Sequence, residues 1–261
     1  MNAGILFVTV FIFGLIIGSF LNVCVSRIPK GVSIISPRSR CPECLAPISF
    51  YDNLPLISYL VLRGNCRHCG VSIPFRYPLV ELLTAAITAL FVFKWRADIP
   101  WLIVSLSAAY LLITVSLIDF ETFMIADAFS YALMLLGFVS AFFNPYFNGG
   151  ASARFLDFFS GGLTGAVIVG SLAWLGKRIY KKEAVGEGDI FLMAGIGALT
   201  GVQGVFSTLM FASFFGAVYG GWLILFKKAG RFDHVPFSPF LSLGAVINLY
   251  RLFRITDFFI W

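Results

Sequence analysis

Apolar residues fall in runs of about twenty that recur along the whole chain. Each run is long enough to cross a hydrocarbon core of about 30 Å as a helix. The pattern predicts spans over residues 5–25, 79–93, 100–118, 127–143, 156–175, 190–204, 205–226 and 239–253. The fold class read from it is an all-α polytopic membrane protein with about eight transmembrane helices. The tightest stretch is 190–226, where 37 residues must supply two crossings. That leaves room for one short or re-entrant helix sheltered by its neighbours. The first run follows only Met1-Asn2-Ala3-Gly4 and leads into Arg27 and Lys30 with no basic n-region and no small-residue cleavage site. It reads as a retained helix with its N-terminus outside.

Composition agrees with a bilayer as solvent. Of the 261 residues 59% are apolar and 12% charged, whereas soluble domains carry about 25% charged residues. A soluble enzyme is excluded on that ground. With the N-terminus outside, segments 26–78, 119–126, 176–189 and 227–238 are cytoplasmic and hold 14 of the 19 Lys and Arg. The other side holds Lys94, Arg96, Arg154, Arg251 and Arg254. The positive-inside rule therefore selects this orientation, with both termini outside. It also accounts for the net charge of +6 without a nucleic-acid partner. Three regions follow: a first helix (1–25), a cytoplasmic loop (26–78) and a transmembrane core (79–261).

Small residues four apart, Gly14 with Gly18, Gly161 with Gly165 and Gly216 with Gly220, are expected to let helix backbones approach closely. Trp95, Trp101 and Trp261 fall near the predicted interfaces as anchors. Cys24 lies within the first span and reads as a small buried hydrophobe.

The cytoplasmic loop is the one long polar stretch. It carries Cys41-Pro-Glu-Cys44 and, after 21 residues, Cys66-Arg-His-Cys69, a spacing close to that of a zinc ribbon. Four thiolates complete a tetrahedral site and leave no open position, so the zinc expected at Cys41, Cys44, Cys66 and Cys69 is structural. It would fold a loop too small and polar for a core of its own. His68 stands between ligands. Disulfides compete poorly on a reducing side of the membrane, iron would accept the same ligands, and redox-active thiols are a third reading.

Ionisable residues at the ends of membrane spans are functional candidates by default. Asp119 ends the third span in Ser116-Leu-Ile-Asp119-Phe-Glu121, and Asp189 opens the sixth in Gly186-Glu187-Gly188-Asp189, both on the cytoplasmic side. Two carboxyls within reach of one water can hydrolyse a peptide, one holding the shared proton while the other activates the water. The same two acids can instead cap helices, or pair with Arg178 or Lys181. A proton- or ion-coupled transporter and a catalytically silent zinc-ribbon scaffold are the rival functions. A transporter would want its acids near the midplane and, in many folds, an inverted repeat.

In these motifs the chain resembles the type IV prepilin leader peptidases, membrane aspartic proteases that are also N-methyltransferases. Gly18-Ser-Phe-Leu-Asn-Val23 and Arg27-Ile-Pro29 resemble the signature at the end of that family's first helix. Arg38-Ser-Arg-Cys41-Pro-Glu-Cys44, Asn53-Leu-Pro55, Leu62-Arg-Gly64, Cys66-Arg-His-Cys69 and Arg76-Tyr-Pro-Leu-Val-Glu81 are similar to its cysteine loop and second helix. Ile118-Asp119 through Ile125-Ala-Asp127 resembles its first catalytic segment, Gly186-Glu-Gly-Asp189 its GxGD motif, and Val235-Pro-Phe-Ser-Pro-Phe240 a structural segment before its last helix.

The resemblance implies Asp119 and Asp189 as the catalytic pair, with Gly186, Gly188 and Asp127 in support. It implies prepilins or type II secretion pseudopilins as substrates, cleaved at the cytoplasmic face of a bacterial inner membrane. It also implies S-adenosylmethionine as methyl donor, with Asn22, Arg27, Glu81 and the cysteine loop as its neighbourhood. One departure is Ala126, where the family usually has proline, which predicts a looser turn.

Overall fold

The computed structural model describes residues 2–181, 186–226, 235–253 and 257. Trp261, Arg254, Lys182, Lys227, Lys228 and Arg231, all used in the topology argument, lie outside the described residues. Among the described residues the protein is helical and contains no strand, only two isolated bridges in the cysteine loop. Contacts divide the chain into two compact units, Met1–Ala97 and Asp98–Trp261.

The first unit contains α1 (Ala3–Arg27), the short α2 (Ile57–Val61) and α3 (Arg76–Trp95). Arg27 in the last turn of α1 faces the negative end of the helix dipole, and Pro29 opens a single 3₁₀ turn beyond it. α1 lies flat on α3 because two of its glycines carry no side chain there. A Cβ on Gly14 would stand 2.6 Å from Ala85 Cα, and one on Gly18 2.7 Å from Glu81 Cα. These are the backbone approaches that small residues permit between membrane helices.

The second unit contains α4 (Ile99–Thr122), α5 (Asp127–Ser140), α6 (Ala151–Tyr180), α7 (Glu187–Leu225) and α8 (Ser238–Tyr250). Asp98 caps α4 by accepting from the Trp101 N–H at 3.1 Å. α1, α3, α4, α6 and α7 are each long and apolar enough to cross a membrane, while α5 and α8 are shorter apolar helices. The expected spans 190–204 and 205–226 are continuous in α7, whose 39 residues would measure about 58 Å if straight. They are not straight, because Gly201 has φ 70° and ψ −178°, a conformation open essentially to glycine alone.

The chain turns sharply there. A Cβ on Gly197 would meet Val205 Cγ2 at 2.9 Å, although eight residues of straight helix separate two positions by about 12 Å. The break frees the Leu199 carbonyl, and Asn144 satisfies it through Nδ2 at 2.7 Å. Gly161 and Gly165 press α6 onto α7 as expected: a Cβ on Gly165 would lie 2.5 Å from the Met193 carbonyl oxygen. The third pair differs. Gly216 has ordinary clearance from Phe240 and Gly220 has open space around it, so neither is a close-approach site. Trp101 also departs from its expected anchoring role. It is fully buried and meets Tyr146 edge-on at 5.4 Å. Cys24 is buried, as its place in an apolar span predicts.

Candidate active site and metal centre

Asp119 sits one turn before the end of α4. The helix stops at Phe123, which takes a left-handed conformation (φ 54°) and returns its N–H to the Asp119 carbonyl. Asp189 occupies the first turn of α7. Its N–H bonds to the Gly186 carbonyl at 3.1 Å and its Oδ2 accepts the Gly186 N–H at 3.2 Å. This reciprocal arrangement satisfies groups that a helix N-terminus leaves open and fixes the carboxylate.

Both aspartates are 6% exposed, and they are close enough to interact electrostatically. Among the described residues neither forms an ion pair with Arg178 or Lys181; Arg178 lies over the Trp174 ring of its own helix at 5.3 Å. Glu121 and Asp127 stay at exposed positions, outside the buried pair.

The residue that joins the two acids is Ser238, the first of α8. Its hydroxyl donates to Asp189 Oδ1 at 2.6 Å, and its hydroxyl and backbone N–H both meet the Asp119 carboxyl. Ser238 is fully buried. Its segment, Val235–Phe240, stands out in the sequence only as a structural stretch, and a serine before a proline at a helix start is an ordinary pattern. Nothing local marks Ser238 as a contact of residues 49 and 119 positions away.

The glycines of the GxGD motif act through space rather than through torsion. Gly186 has φ −71°, available to any residue. Gly188 is the constrained one, because its Cβ would stand 2.9 Å from Ile125 Cβ. That contact docks the start of α7 on the segment linking α4 to α5, the segment that follows Asp119. Ala126 in the same segment has φ −74°, within the range a proline ring would impose. The backbone at Ala126 is therefore one that proline could adopt.

In the first unit, the two CxxC turns repeat one geometry. The N–H of Cys41 bonds to the Ala46 carbonyl at 3.0 Å, and that of Cys66 to the Val71 carbonyl at 2.8 Å. The next bond in each, Leu45 to Cys41 and Gly70 to Cys66, is 3.0 Å long. The four sulfurs lie within 4.8 Å of one another, with Cys41 Sγ and Cys69 Sγ 3.8 Å apart. A tetrahedral zinc with Zn–S bonds of about 2.3 Å sets its sulfurs about 3.8 Å apart, so the four fit a single zinc. All four cysteines are unbridged. N–H groups of Cys69 and His68 turned toward the Cys66 sulfur lower that thiol to about 6, while Cys69 beside it is pushed up to about 11, so the cluster favours its first thiolate at Cys66.

Asp52 clamps the second knuckle to the loop through Arg67, with contacts of 2.6 Å to Nη2 and 2.8 Å to Nε. That guanidinium holds the Asp52 carboxyl below its ordinary range. Beside the knuckles is a cavity of about 430 Å³, lined among others by Ser19, Asn22, Arg27, Cys41, Cys66 and Glu81. The residues expected near a methyl donor thus share one cavity with two of the cysteines. Asn22 is 3% exposed; its Nδ2 donates to the Tyr77 carbonyl at 3.1 Å, and its Oδ1 has no partner among the described residues. Glu81 is buried and accepts the Leu56 N–H at 2.9 Å. Arg27 is turned to the Ser33 carbonyl at 2.9 Å.

Comparison with known proteins supplies the family. A model described as Bacterial Peptidase A24 N-terminal domain matches residues 12–95, and one described as Type IV leader peptidase family matches residues 106–221. The chain is 39% identical to a prepilin leader peptidase/N-methyltransferase of Myxococcus xanthus over 86% of its own length and 64% of that relative's. It is 33% identical to the type 4 prepilin-like proteins leader peptide-processing enzyme of Escherichia coli, over 91% of each chain. A prepilin leader peptidase/N-methyltransferase of Pseudomonas aeruginosa is 32% identical, over 90% of this chain and 87% of that one. No solved structure matches. A multi-pass helical chain that matches both family models and the Escherichia coli relative across nine-tenths of its length belongs to the type IV prepilin leader peptidase family.

Proposed function

We propose that this protein removes the leader peptide from type IV prepilins or type II secretion pseudopilins and then methylates the new N-terminus. The observation that carries the first activity is the buried pair Asp119 and Asp189, joined through Ser238. Two neighbouring acids screened from bulk water favour a state in which one is ionised and the other protonated. In that state one carboxylate draws a proton from the attacking water while the other, protonated, polarises the scissile carbonyl. The proton then passes to the leaving amine, and no covalent intermediate is required. Gly186 and Gly188 seat Asp189 for this work, and Asp127 supports the first turn of α5.

The distribution of Lys and Arg supports an inner-membrane orientation with the aspartates at the cytoplasmic face. The hydrophobic helix of a prepilin would lie in the bilayer there, with its leader in the cytoplasm.

The second activity rests on the relatives' names and on the cavity of the first unit. A volume of about 430 Å³ falls within the usual 300–1,000 Å³ of small-molecule sites. Asn22 and Glu81 would hold the methyl donor there. S-adenosylmethionine, when bound, supplies an electrophilic methyl group; the chain's part is to bind and orient. Zinc at the four cysteines would fix the loop that forms one wall.

The deciding experiment is cleavage of a purified prepilin by the protein in lipid, comparing wild type with Asp119→Asn and Asp189→Asn. Leader removal by wild type alone supports the dyad, and a further 14 Da, one methylene, on the product with the methyl donor present supports methylation. Equal cleavage by all three removes the assignment. Absence of cleavage in all, together with pH-driven flux, would favour the transporter.

A further inference from the structure

The cytoplasmic loop carries an apolar surface that its metal site leaves uncovered. Ile57, Leu60 and Val61 of α2 are 58%, 73% and 69% exposed, and Phe50 and Phe75 are 83% and 65% exposed. Positions i, i+3 and i+4 share one helix face, so α2 turns an apolar stripe away from the loop. An uncovered apolar face of this kind marks an interaction site.

Its depth identifies the partner. Leu56, immediately before α2, donates its N–H to Glu81 at 2.9 Å. Glu81 lies five residues into α3, about 7.5 Å along the axis from Arg76. α3 has 20 residues, about 30 Å of helix, which is the hydrocarbon thickness itself. Arg76 therefore stands at the cytoplasmic boundary and Glu81 below it, and the start of α2 is pinned at the depth of Glu81. The surrounding charge has the matching sign: residues 26–78 hold seven Lys and Arg against Glu43 and Asp52.

We propose that α2, with Phe50 and Phe75, lies at the boundary between the headgroups and the acyl chains of the anionic cytoplasmic leaflet and holds the four-cysteine loop against the membrane. Its apolar stripe enters the acyl boundary, as interfacial helices do to about 5–10 Å, while Arg63 remains exposed and available to lipid phosphates. The reading needs neither the protease nor the methyltransferase assignment.

The test is photo-crosslinking of the full-length protein in nanodiscs containing phosphatidylglycerol. A photoreactive amino acid is placed at Leu60 or Val61, with Leu90, an exposed position three-quarters of the way along α3, as the lipid-contact control, and adducts are identified by mass spectrometry. Lipid adducts at Leu60 and Val61 in yields comparable with Leu90 are expected, unchanged when a prepilin is added. Adducts to the prepilin in place of lipid would make the stripe a substrate-docking face and overturn the proposal. Quenching by water at both positions, with Leu90 still labelled by lipid, would overturn it as well.

Discussion

Ser238 donates its hydroxyl to Asp189 Oδ1 at 2.6 Å and lies beside Asp119 with both its hydroxyl and its N–H, so one residue touches both acids. A hydrogen bond to a charged group is worth about 1.5–3 kcal/mol. If that is expressed mainly in the transition state, Ser238→Ala should lower kcat for leader cleavage about tenfold or more. KM should be nearly unchanged, because the hydroxyl is already engaged with Asp189. Ser238→Thr keeps the donor and should restore most of the rate. An Ala variant as fast as wild type, or a Thr variant as slow as Ala, would remove the positioning role.

The two halves of this site were not equally legible. Asp119 and Asp189 stand out because a carboxylate at the end of an apolar span is costly and needs a reason. Ser238 costs nothing in a sequence, since a serine opening a helix is unremarkable, and its role exists only once α8 brings it to both acids. The break in α7 was half visible: 37 residues for two crossings demanded a turn, but 190–226 contains many glycines and only the backbone singles out Gly201. The short α2 left no periodic signal in five residues. The four cysteines were legible outright, because metal geometry imposes its spacing on the chain.

Ala126 provides a test of backbone shape. At φ −74° and ψ 123°, its conformation is one that proline adopts, and a proline compatible with the native torsion restricts the unfolded chain. Ala126→Pro should raise stability by about 0.4–1 kcal/mol and leave cleavage intact. Thermal unfolding in a fixed detergent measures it; a destabilised variant would mean that the Ala126 N–H or the conformation of Ile125 matters more than φ.

Gly188 should tolerate nothing larger. Its Cβ would stand 2.9 Å from Ile125 Cβ and 3.2 Å from Cδ1, so Gly188→Val must push the start of α7 away from the segment that follows Asp119. A displacement of about 1 Å at a reacting centre costs roughly 100-fold in rate, so cleavage by the valine variant should fall by about that factor. Gly186→Ala, at an ordinary φ and with only Asp189 Oδ2 nearby at 3.7 Å, should cost far less. Equal losses in the two variants would contradict the close-packing account.

The position that follows each knuckle is left-handed in both, but it holds Leu45 (φ 57°) in the first and Gly70 (φ 72°) in the second. A side chain in the left-handed region costs about 1–2 kcal/mol, partly offset by the roughly 0.5–1 kcal/mol of extra backbone entropy that glycine loses on folding. Leu45→Gly should therefore stabilise the metal-bound loop by about 0.5 kcal/mol, with little lost burial because Leu45 is 66% exposed. Competition with a chelator reads this out: protein loaded with one zinc should keep it at a higher chelator concentration in the variant than in wild type. Cys69→Ser should lose the metal altogether.

Asn22 separates structure from function in the first unit. Its Nδ2 is engaged with the Tyr77 carbonyl, but its Oδ1 is buried with no partner among the described residues, and an unmet buried acceptor costs about 1–3 kcal/mol. Replacing the side chain with alanine deletes that penalty together with one hydrogen bond, so Asn22→Ala should change the melting temperature little. If Oδ1 is kept open for a ligand, the same substitution should sharply weaken methyl transfer to a pre-cleaved pilin while leader cleavage by Asp119 and Asp189 continues. Isothermal titration with S-adenosylmethionine and a methylation assay on the same preparation decide the matter. Retained binding and methylation would place the methyl donor elsewhere than this cavity, whereas a large drop in stability would mark Asn22 as a structural link between α1 and α3.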